Sequence, residues 1–329
     1  MKNIDILTIG DVATDVFIKI KDAEATCDAD GAHCKLCLTY GGKIPYESAL
    51  VCNGVGNSSN VAVAASRLGL NSSLISYVGN DVSGKENLLH LGKENVNTDY
   101  VSIVNDKESN YHYVLWYKTD RTILVKHTEF PYSLQKDIIE PKWVYLSSLA
   151  SNSIEYHKEI IEYVKSHPSV SLAFQPGTFQ IKLGIEELKE IYKIAKVFLC
   201  NYQEAQKILS VQEKDIYKLS KAIYDFGPKI VVITDGVNGS YSYDGNDMLF
   251  MKAIDKDTVE STGAGDAFSG AFISALTLGK DIPTAMIWGA VNATSVVEHI
   301  GPQKGLLTKD EIEEHIKNLS IDYKPVKLN

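Results

Sequence analysis

Residues 260–270 carry the stretch Glu-Ser-Thr-Gly-Ala-Gly-Asp-Ala-Phe-Ser-Gly, in which two glycines flank one small residue and Asp266 follows at once. Small residues then recur at helical spacing, at Ala267, Ala271 and Ala275, so the stretch predicts a glycine turn that opens a helix. The first N–H groups of a helix have no partner within it and lie at the positive end of its dipole. The sequence therefore predicts an anion site at this turn, with Asp266 beside it.

A carboxylate beside a bound phosphate is a poor ligand, because the two negative charges repel each other. The same carboxylate is well placed to remove a proton from a hydroxyl group that attacks the phosphate. Asp266 is therefore a candidate general base. In the alternative interpretation, Gly263 and Gly265 only shape a turn and Asp266 only caps the helix, since short glycine motifs often occur by chance.

Composition limits the classes of partner and compartment. The chain has 329 residues, of which 44% are hydrophobic, so it can bury a sizeable core. Its formal net charge of −9 argues against nucleic acid or an anionic membrane as the main partner, but not against a phosphorylated small molecule. The N-terminus lacks the layout of a signal peptide, and no apolar run is long enough to span a bilayer. Five cysteines, an odd number, favour a reducing compartment, and we expect a cytoplasmic protein.

Apolar, strand-like runs alternate with helix-like segments along most of the chain, which predicts a mostly parallel sheet covered by helices on both faces. The predicted strands of this sheet lie at 6–9, 73–78, 144–146, 170–174, 197–200 and 230–234. Helices are expected at 58–69, 154–166, 185–194, 203–209, 214–226, 265–278, 283–299 and 309–317. Because neither a repeat nor a low-complexity linker divides the sequence, residues 1–329 are expected to form a single domain.

Two stretches interrupt this alternation and are predicted to form a small accessory β-sheet. Residues 16–51 are polar and rich in turn residues, and residues 110–127 alternate in the manner of β-strands. Excursions from a rigid sheet commonly cover a ligand site, so we interpret the two stretches as a lid.

Further polar clusters follow predicted strands, where ligands collect in open parallel sheets. Asp15 comes shortly after the first strand and either accepts hydrogen bonds from sugar hydroxyl groups or is an ordinary loop carboxylate. The stretch Gly54–Ala62 precedes a helix, and Asn60 in its first turn is unfavourable by propensity unless its amide binds a partner. Gly54–Ser59 also fits the dinucleotide-binding turn of an oxidoreductase, but no predicted strand leads directly into it.

Asn201 and Glu204 begin a helix after the strand at 197–200 and could share one face to hold a hydrated magnesium ion. Alternatively, they form a capping pair in which each side chain satisfies a backbone N–H group at the helix start. The remaining candidates either contact a nucleotide or have ordinary turn and helix-surface roles, and they are Thr234, Gly236, Gly239 and Asn292.

The order of these clusters resembles that in the PfkB/ribokinase family of sugar and nucleoside kinases, over nearly the whole chain. Residues 260–266 are similar to the C-terminal family signature D-T-x-G-A-G-D, and residues 55–62 to the N-terminal signature G-G-x-x-x-N-x-A. Asn201 to Glu204 match the family's N-x-x-E motif, and Asp15 matches its substrate aspartate. The resemblance implies a ribokinase-like three-layer α/β/α sandwich with a mostly parallel sheet and a small β lid.

The resemblance also implies an activity, which is transfer of the γ-phosphate of ATP to a hydroxyl group of a sugar, with a nucleoside as the alternative acceptor. It implies that Asp266 is the general base, that the amides of Gly263, Ala264 and Gly265 form the anion hole, and that Glu204 organises Mg²⁺. The residues implied to contact the acceptor are Asp15, Gly56, Asn57 and Asn60. Those implied to line the nucleotide site are Asn201, Thr234, Gly236, Gly239 and Asn292. An alternative from another class is a non-catalytic sensor of sugars or nucleotides with the same fold.

The chain departs from the family pattern next to both signatures. Glu260 and Ser261 replace the usual Asp-Thr pair, which helps to bind a monovalent cation in many relatives, so potassium is only a possible cofactor. Val55 replaces the first glycine of the N-terminal signature and narrows the room beside the acceptor. The lysine that follows the paired glycines in ribokinase-type members is absent from this signature.

Cysteines are concentrated in the first lid stretch. Cys34 and Cys37 have the spacing of a zinc knuckle, which Cys27 or His33 could complete. The alternative is a set of free or reversibly oxidised thiols.

Aromatic and basic residues are concentrated in the second lid stretch. The aromatic residues either stack on a nucleoside base or pack within the lid or across a lid-to-lid homodimer, and they are Tyr111, Tyr113, Trp116 and Tyr117. Arg121, together with Lys118 or Lys126, could instead reach the phosphate of a phosphosugar.

Overall fold

The computed structural model describes residues 3–27, 34–118 and 120–328. The strands are β1 (Ile4–Ile9), β2 (Ala13–Ile20), β3 (Glu24–Cys27), β4 (Cys34–Cys37), β5 (Tyr46–Val55), β6 (Ser72–Gly79), β7 (Val101–Val104), β8 (Asn110–Tyr117), β9 (Asp120–Lys126), β10 (Pro141–Leu146), β11 (Ser171–Phe174), β12 (Ala195–Asn201), β13 (Ile230–Thr234), β14 (Ser240–Tyr243), β15 (Met248–Met251) and β16 (Val326–Leu328). Within the described ranges, ten of them form the main sheet in the order β16-β15-β14-β13-β12-β11-β10-β1-β6-β7. Neighbours from β13 to β7 run parallel, and β14 to β16 add an antiparallel edge.

Helices cover both faces of this sheet. They are α1 (Asn57–Arg67), α2 (Val82–Lys93), α3 (Ile154–Ser166), α4 (Thr178–Leu183), α5 (Ile185–Ile194), α6 (Tyr202–Leu209), α7 (Ile216–Tyr224), α8 (Ala264–Thr277), α9 (Ile282–Val297) and α10 (Lys309–Lys317). In the central strand β1, Leu7 packs into a core with α3, α5, α6 and α7, whereas Ile6 packs into a core with α1, α8, α9 and α10. The expected three-layer α/β/α sandwich with a mostly parallel sheet is confirmed.

The sequence pattern missed α2, α4 and the edge strands of the sheet. In α2, the buried side of the helix is formed by Gly84, Asn87 and Leu91, so the sequence carries no apolar stripe at helical spacing. The central strands were found because both of their faces are covered, which gives continuous apolar runs.

The lid is a separate sheet, with the strand order β5-β2-β8-β9 in the described part of the chain. Its strands begin earlier and end later than the predicted stretch 16–51, because β2 starts at Ala13 and β5 ends at Val55. The expectation that no strand leads into Gly54 is therefore wrong. However, β5 runs antiparallel to β2 within the lid, so it does not provide the parallel-sheet strand from which a dinucleotide-binding turn starts.

Strands β3 and β4 form a hairpin that carries the lid cysteines. Cys27 and Cys34 are joined by a disulfide, and Cys37 is exposed. The zinc interpretation is wrong for Cys27 and Cys34, since the disulfide uses both sulfur atoms, and the outcome agrees with the oxidised-thiol alternative. His33 lies outside the described residues. Among those that are described, no group of three His, Cys, Asp or Glu side chains could hold a metal ion.

In the ranges that the structure describes, every helix is too short or too polar to cross a lipid bilayer.

Candidate active site

Helix α8 begins at the turn that the sequence predicts. Gly263 precedes it with φ of +82°, in the left-handed region that favours glycine, and a Cβ at this position would lie 2.3 Å from Cβ of Pro302. The N–H group of Ala264 donates to the carbonyl oxygen of Ser261 at 3.3 Å. The turn thus engages the Ala264 amide, and the expected donation of the Gly263, Ala264 and Gly265 amides to an anion stays a prediction.

The packing of α8 against α1 brings two distant parts of the sequence together. A Cβ on Gly270 of α8 would lie 2.8 Å from Cβ of Ala64 on α1, so the two helices can approach this closely only because position 270 is glycine. The small-residue stripe of α8 is buried in the same contact region. Asn60 in the first turn of α1 thereby reaches Asp266 in the first turn of α8, 206 residues further along the chain.

The carboxylate of Asp266 is buried, with 7% of the residue exposed, and amide groups hold both of its oxygens. Asn60 Nδ2 donates to Oδ2 at 2.8 Å, and Gln175 Nε2 donates to Oδ1 at 3.0 Å. Burial raises the pKa of Asp266 to about 6. The hydrogen bonds from Asn60 and Gln175 oppose this rise in pKa, and so does a smaller contribution from Asn57, whereas the charge of Glu204 adds to it. The group is thus a carboxylate at neutral pH, and a stronger base than an ordinary aspartate.

Gln175 can present only its NH₂ group to Asp266, because hydroxyl groups use the other end of its amide. Tyr145 Oη and Ser269 Oγ donate to Gln175 Oε1 at 2.6 and 2.5 Å. The sequence predictions missed Gln175. It directly follows β11 at the carboxyl edge of the sheet, so the rule that drew attention to Asn201 and Thr234 could have found it.

A second chain of hydrogen bonds fixes Asn60. Gln303 Nε2 donates to Asn60 Oδ1 at 2.9 Å and to the carbonyl oxygen of Gly54 at 2.8 Å, and His90 Nε2 contacts Gln303 Oε1 at 2.7 Å. Asn60 was expected to contact the acceptor. The amide of Asn60 bridges Gln303 and Asp266, and its contact with the acceptor stays a prediction. Gln303 and His90 were not predicted, and no local pattern in the sequence identifies them.

Two aspartate–histidine pairs lie between the body and the lid. Asp15, in β2, accepts from His112 Nδ1 of the neighbouring strand β8 at 3.0 Å. Asp11, which follows β1, is contacted by His127 Nε2 at 2.7 Å and by the hydroxyl group of Tyr132 at 2.8 Å. The rings of His112 and His127 stack with centroids 6.4 Å apart. Asp15 is therefore a lid residue with a fixed carboxylate, and Asp11, which the sequence predictions missed, is its counterpart on the body.

Gly56 lies where the lid strand β5 enters α1. Its φ is +124°, and a Cβ there would lie 2.5 Å from the carbonyl oxygen of Asp11. Asn57 is the first residue of α1 and is close enough to lower the pKa of Asp266. Both predicted residues therefore lie beside the base and Asp11, and their contact with an acceptor stays a prediction.

Asn201 and Glu204 form the capping pair that was one of the two alternatives. Asn201 Oδ1 accepts from the Glu204 N–H group at 2.8 Å, and Glu204 Oε2 accepts from the Asn201 N–H group at 2.9 Å. The side-chain oxygen of Asn201 is thus used by the helix, and the contact of this residue with a nucleotide stays a prediction. Burial raises the pKa of Glu204, and its charge in turn raises the pKa of Asp266, so the two carboxylates share one site.

The predicted nucleotide residues fall into two groups. Thr234 ends β13 directly beside Asn201 at the end of β12, and Gly236 and Gly239 shape the turn that follows, with φ of +51° and +107°. Their contact with a nucleotide stays a prediction. For Asn292 the expectation is wrong, because its side chain is 0% exposed, its Nδ2 donates to the carbonyl oxygen of Ala267, and its Oδ1 accepts from the Leu307 N–H group.

The lid aromatic residues divide between its two faces. Strand alternation puts Tyr111, Tyr113 and Tyr117 on the face opposite to His112, away from the Asp15 carboxylate. Trp116 shares the face of His112, but its Nε1 donates to the carbonyl oxygen of Lys118. The three tyrosines therefore do not form a stacking surface toward Asp15.

A base of raised pKa beside a helix N-terminus is suited to moving a phosphoryl group onto a hydroxyl group. Fold and site together define the class of protein, a phosphotransferase with an alcohol group as acceptor. The family model described as pfkB family carbohydrate kinase matches residues 24–309, which is most of the chain. The chain belongs to the pfkB family of carbohydrate kinases.

Individual relatives differ in the acceptor that their names give. A nucleoside kinase of Methanothermobacter thermautotrophicus is 27% identical over 260 residues, which cover 76% of this chain and 80% of the relative. A 5-dehydro-2-deoxygluconokinase of Geobacillus thermodenitrificans is 28% identical over 288 residues, covering 80% and 84%. The structure of Arabidopsis thaliana ribokinase complexed with ribose and ATP is similar with a TM-score of 0.79 at 18% identity, over 97% of this chain and 100% of that one.

Proposed function

We propose that the protein transfers the γ-phosphate of ATP to a hydroxyl group of a sugar, with Asp266 as the general base. The observation that carries this proposal is the position of Asp266 in the first turn of α8, buried beside Gly263, with a pKa raised to about 6. Such a group is ionised near neutral pH and still basic enough to take a proton from a hydroxyl group in the transition state.

In this mechanism Asp266 accepts the proton of the attacking hydroxyl group. The N–H groups of Gly263 and Gly265 donate to oxygens of the transferred phosphoryl group, which lies at the positive end of α8. Asn60 and Gln175 hold the carboxylate in one orientation, so that it does not rotate away from the acceptor. Phosphoryl transfer depends mainly on such alignment and on stabilisation of charge.

Mg²⁺ fits this site as an ion held mainly by nucleotide phosphates and water, which is its usual mode in kinases. Glu204 lies close enough to Asp266 to raise its pKa, and its carboxylate would hold the water shell of the ion. Asn201 does not fit this role, because its side-chain oxygen caps α6. When bound, the ion would neutralise part of the phosphate charge.

The acceptor in this proposal is a sugar, because the polar groups between lid and body suit hydroxyl groups. Asp15 with His112 and Asp11 with His127 present carboxylates and imidazoles toward each other at the edge of the sheet. The second candidate is a nucleoside, which the name of the Methanothermobacter relative favours. The outward orientation of Tyr111 and Tyr113 removes one argument for a stacked base.

A coupled assay of ADP release tests the proposal across pentoses, hexoses, keto-deoxy sugar acids and nucleosides. We expect the highest kcat/KM with a sugar or sugar acid, and a background level for the Asp266→Asn variant. The highest value with a nucleoside would favour the second candidate. No release above the background with any acceptor would favour the non-catalytic sensor. Repeating the assay with choline chloride in place of potassium chloride tests the potassium requirement.

A lid-to-lid homodimer is part of the proposal. On the outer lid face Val51, Tyr113 and Leu124 are 54%, 43% and 51% exposed, and exposed apolar patches of this kind commonly mark protein contacts. Light scattering of the wild type should give twice the mass of the chain, and Leu124→Lys should give the mass of one chain. If the wild type has the mass of one chain, the proposed homodimer is overturned.

A further inference from the structure

Arg121 connects the lid to the segment that leads into the anion-binding turn. It lies in β9, and its Nη1 donates to Ser261 Oγ at 2.7 Å and lies 3.5 Å from Glu260 Oε1. Residues 260–262 belong to the body and directly precede Gly263. The contact of Arg121 with this segment therefore joins a lid strand to the body directly beside the anion-binding turn.

Glu260 is a buried carboxylate at an unusual place. Only 6% of the residue is exposed, and its Oε1 accepts from Thr262 N at 2.7 Å and from Thr262 Oγ1 at 2.5 Å. Its Oε2 is buried and has no hydrogen-bond partner among the described residues. A buried carboxylate is strongly unfavourable unless an opposite charge compensates it. Here it also lies three residues from Gly263, where its charge would oppose the binding of phosphate.

The charges around Glu260 identify Arg121 as the compensating group. Burial, followed by the charges of Asp15 and Glu260, raises the pKa of the Cys52 thiol to about 11, so Glu260 and Asp15 act on the same part of the site. Lys304 acts on the same thiol in the opposite direction. Arg121 is the cation that reaches both Glu260 and the adjacent Ser261.

We propose that Arg121 is a positioning residue, which compensates Glu260 when the lid is closed and thereby holds residues 260–263 in the conformation that aims the Gly263 amide at phosphate. Lid closure and completion of the anion hole are then one event. The activity part of this proposal rests on the proposed kinase function, whereas the structural part does not.

A single guanidinium nitrogen, Nη1, reaches both Ser261 Oγ and Glu260 Oε1, and the planar group fixes the direction in which it donates. A lysine ammonium at the same position is a point charge on a flexible stem, so its donors are held in place less firmly. Lys126 on the same strand offers a matched control. Lys126 pairs with Glu108 on the outer face of the lid. It lies five residues from Arg121 in the same strand, so the two side chains are on opposite faces.

Steady-state kinetics test the activity part in the full-length protein. We expect Arg121→Ala to lower kcat on the order of 10- to 100-fold, because the buried carboxylate of Glu260 then has no compensating charge, with KM for ATP changed less than about threefold. Arg121→Lys should recover only part of the loss, and Lys126→Ala should match the wild type. Guanidinium chloride at tens of millimolar should rescue Arg121→Ala more than potassium chloride at the same ionic strength. Equal rescue by the two salts would overturn specific compensation.

A double-mutant cycle separates charge compensation from a direct contact with substrate. Glu260→Gln keeps an oxygen for Thr262 and removes the charge, so Arg121→Ala with Glu260→Gln should be less impaired than Arg121→Ala alone. Purely additive losses would overturn the proposal. An increase in the KM of a phosphorylated acceptor at unchanged kcat would also overturn it, because Arg121 would then be a ligand of the substrate.

Hydrogen exchange tests the structural part without any turnover. Amides of residues 260–266 should exchange faster in Arg121→Ala than in the wild type, and Lys126→Ala should leave them unchanged. If no acceptor is phosphorylated by the wild type, the proposed function fails while this measurement still decides whether Arg121 orders the segment. Unchanged exchange in Arg121→Ala would overturn the inference.

Discussion

Two regions of the molecule differ in how many of their polar groups have a hydrogen-bond partner. One surrounds Asp266, and the other is the boundary between the lid and the body. Asp266 receives hydrogen bonds from Asn60 and Gln175, and further partners fix both of these amides. At the lid boundary, His112 Nε2 and Glu260 Oε2 are buried without a hydrogen-bond partner among the described residues. An unsatisfied buried polar atom costs about 1–3 kcal/mol. The groups that contact Asp266 therefore belong to the body and are fully hydrogen-bonded, whereas the lid boundary keeps bonding capacity for a ligand or a counterion.

Replacement of Asp266 should have the largest effect on turnover, and it tests the role of the hydrogen-bonded site in the body directly. Asp266→Asn is expected to lower kcat by about 10²–10⁴-fold, because the amide cannot accept the proton, while ATP still binds. ADP release measures the first quantity and isothermal titration with ATP the second. Asp257→Asn, an exposed carboxyl group in the preceding loop, is the control and should match the wild type. Near-normal turnover of Asp266→Asn would remove the base from the mechanism.

Acid should inactivate the enzyme through the same carboxylate. The pKa of Asp266 is raised to about 6, and only the ionised form can accept a proton, so kcat/KM should be full at pH 7.5 and decline as the pH falls through 6. Well below that value the loss should approach about tenfold per pH unit. A profile that stays flat down to pH 4.5 would show that the carboxylate titrates as an ordinary aspartate or is not the base.

Removal of one supporting amide should shift this profile. Gln175 donates to Asp266 and opposes the rise of its pKa, so Gln175→Met should move the acid limb to higher pH and lower kcat by several-fold. Gln212→Met, at an exposed position, serves as the control. An unshifted acid limb in Gln175→Met would mean that the amide packs beside the base without tuning it.

Changes at the lid boundary should affect binding more than chemistry. His112→Ala removes the ring that holds Asp15, and we expect KM for the acceptor to rise by about 3- to 10-fold with kcat nearly unchanged. His315→Ala, on the surface helix α10, is the control. If His112→Ala lowers kcat as strongly as Gln175→Met does, the lid boundary contributes to the chemical step as much as the surroundings of Asp266 do. The distinction between the two regions then fails.

The fold and the glycine turn that opens α8 could be predicted from the sequence because both depend on local patterns. Apolar runs such as Ile230–Thr234 reflect burial on both faces, and the turn before α8 needs glycine at position 263 for its backbone conformation. The pattern of Asn201 and Glu204 was compatible with a cap and with a metal site, since both use the same residue types at the same spacing. Only coordinates could separate the two alternatives.

The network behind the base could not be predicted, because its members are far apart in sequence. Gln303 and Asn60 are 243 residues apart, and neither belongs to a pattern that points to the other. Asn292 was assigned to the nucleotide by the family resemblance, and the alternative was an ordinary residue of the helix surface. Helix α9 is instead covered on several sides, and it uses this amide to bond the backbone of α8 and the segment after Leu306.

The origin of the lid in two excursions has a consequence for how this enzyme can change over evolutionary time. One excursion leaves the body after β1 and returns at α1, and the other leaves after β7, so that Ala13 and Asn110 pair side by side at the two departure points. Residues 13–55 and 110–126 can therefore be regarded as one exchangeable unit, because the two amides that support Asp266, those of Asn60 and Gln175, lie outside both stretches. Relatives could inherit one catalytic body and acquire different acceptors by exchanging this unit, with the departure points at Ala13 and Asn110 as its natural splice sites.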